Sequence, residues 1–151
     1  MTYQSIDTIA RTAWGEARSQ GELGMQAVIN VIMKRASLHW QGKTTPEDVC
    51  LARKQFDCWL PDDPNLPKLK AVDDTDPQFA TALALADKAV NTYLPDVTNG
   101  ADSYYARTMP STPCWARGLI PCATIKDHLF FATRKQKGYV FAPSTEKEAG
   151  T

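Results

Sequence analysis

Ala13-Trp14-Gly15-Glu16-Ala17-Arg18 is the stretch on which the reading of this chain turns, with the apolar run Met25–Met33 behind it. At about 100° per residue, Ile6, Ile9, Ala10, Ala13, Trp14 and Ala17 share one broad helical stripe. Glu16 falls roughly 20° from Ile9, at the edge of that stripe, while Arg11 and Arg18 point the other way. A carboxyl there loses hydration, and desolvation favours its neutral form. That is how a general acid keeps a proton near neutral pH. Gly15 beside it leaves room for a ligand. The same position also suits a boundary residue paired with Arg18 or Arg35.

Working outward, Ser5 is expected to cap this first helix, which ends at Ala17 before Ser19-Gln20-Gly21. A second helix, Glu22–Ala36, is apolar around nearly its whole circumference and is expected at the centre of the fold. Lys34 and Arg35 in its last turn suit the helix dipole. Thr45-Pro46-Glu47-Asp48 starts a short third helix, with Thr45 as cap and Pro46 in the first helical position. After Gln55-Phe56-Asp57-Cys58-Trp59 comes a loop containing Pro61, Pro64 and Pro67. Asp76-Pro77 opens another helix that runs to Asn91. The period then turns alternating: Ser103–Ala106 reads as a short strand, Thr124–Phe131 as one longer strand, and Tyr139–Phe141 as a further one. The expected fold is α+β, a mainly helical domain with a small antiparallel sheet from the C-terminal third. Residues 1–143 form one domain and 144–151 a polar, frayed tail.

Seventeen basic residues balance seventeen acidic ones, which removes the usual argument for nucleic-acid or anionic-membrane binding. No run approaches the length of a transmembrane helix. Cys50, Cys58, Cys114 and Cys122 form two pairs with seven residues inside each, the wrong spacing for zinc ribbons or fingers. Disulfides and reduced, partly buried thiols are both open readings.

With these elements in place, the residues resemble the cell wall hydrolase family of the SleB–CwlJ type, the spore-cortex-lytic enzymes and their bacterial and phage relatives. The pieces come in family order: Ala10 to Arg18, Gly24 to Val28 leading into Val31 to Arg35, Gln55-Phe56 with Trp59, Tyr104-Tyr105, and His128 to Phe131. Trp14 stands where the family usually has tyrosine, and Ser19-Gln20 where it has Gly-Glu. The resemblance implies a lysozyme-like fold that cleaves peptidoglycan glycan strands, with Glu16 as catalytic acid. It puts Gln55, Phe56, Trp59, Tyr104, Tyr105 and His128 at the groove. It implies no metal and no cofactor, and a monomer whose partner is the glycan strand, with no nucleic acid and no stable membrane insertion.

A glycosidic bond needs a proton on its leaving oxygen and a trap for the oxocarbenium-like centre. The muramic acid 6-hydroxyl can be that trap in a lytic transglycosylase, so one glutamate suffices. Asp57, Asp102 and Asp127 are candidates for the second carboxylate that hydrolysis would use. Tyr104 and Tyr105 alternate on a strand, so at most one faces the substrate directly. Two rival functions are a cysteine amidase or peptidase, with Cys58 or Cys114 attacking and His128 as base, and a non-catalytic glycan-binding module. The N-terminus lacks the segments of a secretory signal. That fits a phage endolysin held in the host cytoplasm until it is released to the periplasm or cell wall.

Overall fold

The computed structural model of the chain describes residues 3–53 and 55–136. The expected strand at Tyr139–Phe141 and the tail from Ser144 lie outside them. Helix α1 is Tyr3–Ala17 and α2 is Gly21–Ser37. On α1 the stripe Ile9, Ala10, Ala13, Trp14 and Ala17 is buried. On α2, Ala27, Val28, Ile29, Val31 and Ile32 are 0% exposed, so this helix lies inside the molecule. Full burial of each such branched side chain is worth about 1.5–3 kcal/mol. Ser5 does not cap α1. It lies within the helix, and its hydroxyl donates to Glu47 Oε1 at 3.2 Å.

Helix α3 (Pro46–Leu51) starts as its sequence dictates, with Thr45 Oγ1 accepting from the Asp48 amide at 3.1 Å. Helix α4 (Leu66–Ala71) falls where the sequence suggested only loop. Arg11 ties it to α1 by donating to the carbonyls of Leu69 (2.8 Å) and Val72 (2.9 Å). Helix α5 (Pro77–Asn91) begins on Asp76, whose carboxylate accepts from the Phe79 amide. Helices α2 and α5 both pack on α1.

Strands β1 (Ser103–Ala106), β2 (Ala123–Ile125) and β3 (His128–Phe131) form an antiparallel sheet in the order β1-β3-β2. The single strand expected over Thr124–Phe131 is therefore a hairpin. Lys126 adopts a left-handed backbone (φ 50°), and Ile125 pairs with His128 across the turn. Paired residues share a sheet face, so the turn brings His128 to the face of Ile125, Phe130 and Tyr104. A last short helix, α6 (Thr133–Gln136), is capped by Asp102, which accepts from Thr133 N, Thr133 Oγ1 and Arg134 N.

Arg35 was expected to serve the dipole of α2, but it is 0% exposed. Its guanidinium lies 4.8 Å from the Trp40 ring centroid and 5.4 Å from that of Phe56. It donates to the Asp102 carbonyl at 2.7 Å. Burial lowers its pKa to about 10, so it stays charged at neutral pH. Among the described residues no helix is long and apolar enough to cross a membrane.

Candidate active site

Glu16 sits near the C-terminal end of α1, where the helix meets the 3₁₀ turn Asp57–Trp59 on one side and β1 on the other. The phenol of Tyr104 donates to Glu16 Oε1 at 2.7 Å, and the Cys58 backbone amide donates to Oε2 at 3.2 Å. Both bonds favour the carboxylate. Burial opposes them and is the larger effect, so the pKa of Glu16 is raised from its ordinary 4.5. Burial, and the carboxyl beside it, push the Tyr104 phenol well above its usual range, so it remains a donor.

The expected ion pairing with Arg18 or Arg35 is replaced by these bonds. Arg18 lies over Trp14, 4.0 Å from the ring centroid, and donates to the Trp14 carbonyl at 3.2 Å. Gly15 borders a cavity, but the position that a side chain on it would take is filled by protein. A Cβ there would stand 2.8 Å from Cys58 Cβ and 3.2 Å from Leu69 Cδ1. Gly15 thus lets the Asp57–Trp59 turn reach α1 and present its amide to Glu16.

Two cavities meet at Glu16 and Asp57. One, of about 190 Å³, is bordered by Trp14, Gly15, Arg18, Cys58, Asp63, Asn65 and Leu69. The other, of about 340 Å³, is bordered by Tyr104, Tyr105, Ala106, Met109 and His128. The carboxyl therefore stands at the middle of a groove. An extended ligand crossing it would lie against α1 and α4 at one end and against the sheet at the other.

A family model described as Cell Wall Hydrolase matches residues 19–131. This chain belongs to the cell wall hydrolase family. The matched stretch begins just after Glu16, so the case for that residue rests on geometry. The crystal structure of the catalytic domain of the Bacillus cereus SleB protein superposes with a TM-score of 0.63 at 18% identity. The alignment covers 86% of this chain and 91% of that one, which shows a shared fold. No curated protein matches the chain at a significant level.

Within this hydrolase the other sequence candidates separate. Tyr104 and His128 border the sheet-side cavity, their ring centroids 5.0 Å apart. His128 is 7% exposed, and burial lowers its pKa, which leaves the imidazole neutral. Tyr105 borders the same cavity, but its ring stacks on Phe131, 5.7 Å away, on the sheet's other face. Gln55 and Phe56, expected at the groove, lie inside the protein. Gln55 Oε1 accepts from Trp40 Nε1 at 3.2 Å, and Phe56 packs in the core. Trp59 borders neither cavity, and its indole donates to Thr12 Oγ1 at 2.8 Å.

Of the carboxylates, Asp57 is exposed and borders both cavities. Asp102 is occupied as the cap of α6, and Asp127 accepts from Gln20 Nε2 at 3.4 Å, away from the groove. All four cysteines are free thiols. Burial and the neighbouring Glu16 push the Cys58 thiol far up, the opposite of what a nucleophile needs. Cys114 is exposed and borders neither cavity. Sequence reasoning missed the Cys58 amide, because a backbone donor carries no residue signature. It also missed Asp63, Asn65 and Met109, which sit in loops or turns without periodicity.

Proposed function

We propose that this cell wall hydrolase cleaves the glycan strand of peptidoglycan as a lytic transglycosylase, with Glu16 first as general acid and then as base. The observation that carries the reading is the position of the Glu16 carboxyl at the junction of two cavities, where burial raises its pKa and so favours the acid form. Glu16 gives its proton to the glycosidic oxygen as the C1–O bond breaks, and an oxocarbenium-like centre develops. The carboxylate left behind is stabilised by the donors it already has, Tyr104 Oη and Cys58 N. It then takes the proton of the muramic acid 6-hydroxyl as that oxygen bonds to C1. The products are a 1,6-anhydro end and a new hydroxyl end, and Glu16 is protonated again. No water is consumed.

Glu16→Gln keeps size and shape but cannot donate a carboxylic proton. General acid–base assistance is worth about 10²–10⁴-fold, so wall lysis should fall at least a hundredfold while the fold is retained. A variant that still lyses walls removes Glu16 from catalysis. Mass spectrometry of walls digested in heavy-oxygen water should find anhydro ends without label. Labelled reducing ends would instead indicate a hydrolysing muramidase, with Asp57, which borders both cavities, as the candidate second carboxylate.

The same proposal includes an endolysin-type role, with the protein stored in the cytoplasm and released to the wall. Four free thiols fit storage in a reducing compartment. Bacteria expressing the protein in their cytoplasm should stay intact until their inner membrane is permeabilised. Lysis without permeabilisation would count against that role.

A further inference from the structure

We propose that the cavity on the Trp14 side of Glu16 receives the peptide stem of the strand, with Arg18 meeting a stem carboxylate and Asp57 and Asp63 a stem amino group. This rests on the glycan-strand reading above and adds a substrate requirement to it.

The two halves of the groove differ in charge. Beyond the shared Glu16 and Asp57, the sheet-side half presents Tyr104, Tyr105, Ala106, Met109 and His128. With its imidazole neutral, that surface suits an N-acetylated sugar ring, which carries no charge. Beyond the same two residues, the other half presents the Arg18 guanidinium and the Asp63 carboxylate beside Trp14, Asn65 and Leu69. Neither Arg18 nor Asp63 is a loose surface charge. Arg18 is fixed by its stack on Trp14 and its bond to the Trp14 carbonyl, which leaves other N–H groups to donate. Asp63 Oδ1 accepts from the Asn65 amide at 2.7 Å, which orients the carboxylate at the rim.

While the stems are attached the muramic lactyl groups are amides and the sugars are neutral, so the ionic groups of the strand are carried by the peptide stems. A strand crossing Glu16 therefore has only the stem to match the charged half. Arg18 and Asp63, with the shared Asp57, complement a group bearing both a free carboxylate and a free amine. The end of a stem that contains a diamino acid is such a group.

The test compares kcat/KM for strands that keep their stems with kcat/KM for strands stripped of them by an amidase, the lactyl carboxylates so exposed being capped as methylamides. Charge-assisted hydrogen bonds of this kind are worth roughly tenfold or more, so the wild-type ratio should be at least about ten. Arg18→Gln should bring the ratio toward one, and Arg18→Lys should keep part of it. Acetylating the stem amine should lower the ratio for the wild type, and lower it less for Asp63→Asn, which retains the acceptor for Asn65 and leaves Asp57 alone to meet the amine. A wild-type ratio at or below one overturns the proposal. So does an unchanged ratio in folded Arg18→Gln and Asp63→Asn. Failure of the wild type to cleave either substrate would overturn the glycan-cleaving reading and this one with it, a result distinct from equal rates.

Discussion

Two opposed effects act on one carboxyl, and the Tyr104 phenol is the adjustable one. Its bond to Glu16 favours the carboxylate, whereas burial favours the acid and prevails. If the protonated form starts the reaction, activity falls on the alkaline side as Glu16 ionises. Removing the phenol removes a bond that lowers the pKa, so Tyr104→Phe should move the alkaline limb to higher pH. The same change should reduce kcat, because the carboxylate formed on proton transfer loses a donor. A pH–rate profile of the variant checks both. A limb that stays in place, or moves down, would mean that another group sets it. Neutral His128, packed against the same phenol, sets the shape of the sheet-side wall.

Among the elements, those governed by local chemistry were legible in the sequence. Thr45-Pro46 and Asp76-Pro77 start helices through their own side chains and the fixed proline φ, and both do so here. Helix α4 was hidden because Pro67 reads as loop, although proline is tolerated in a first helical turn. The hairpin was missed because Lys126-Asp127 contains neither Gly nor Asn, the residues that usually mark such a turn. One continuous strand would put His128 and Ile125 on opposite faces, whereas the two-residue turn pairs them on the same one. Of the site, Glu16 and Tyr104 could be singled out from pattern and resemblance. The inward course of Gln55 depends on Trp40 and Arg35, which no local signal connects to it. The contact between α1 and the Asp57–Trp59 turn is the most exacting of these element-level features. Gly15→Ala would put a methyl 2.8 Å from Cys58 Cβ and force the turn outward. Overpacking of this kind costs about 1–3 kcal/mol, so thermal unfolding should shift down accordingly. Activity should fall further than stability explains, because the Cys58 amide leaves Glu16. An unchanged melting temperature would mean that the turn yields freely.

Across the whole molecule, the groove is assembled from parts distant in the chain: Glu16 and Arg18 near the start, Asp57 to Leu69 in the middle, Tyr104 and His128 from the sheet. Such a site exists only when the helices and the sheet are docked, and holding an acid there has a consequence for the stability of the fold. A carboxyl whose folded pKa is raised binds its proton more tightly in the native state than in the unfolded chain. Its contribution is fully present below the unfolded value near 4.5 and is lost as pH rises through the raised folded value. Above that value the native state holds a buried carboxylate that would be better solvated unfolded. Gln at this position mimics the protonated acid at every pH. Glu16→Gln should therefore leave the melting temperature nearly unchanged below the unfolded pKa. It should raise it progressively between that value and the folded pKa, then hold a constant gain above. This is the trade expected where an active site is kept at the expense of stability. The comparison needs only melting curves of two proteins over a pH series. It also separates burial from catalysis, because it uses no substrate. If wild type and variant melt in parallel across the series, Glu16 is not held in a desolvated site, and the proton it is proposed to donate has another source.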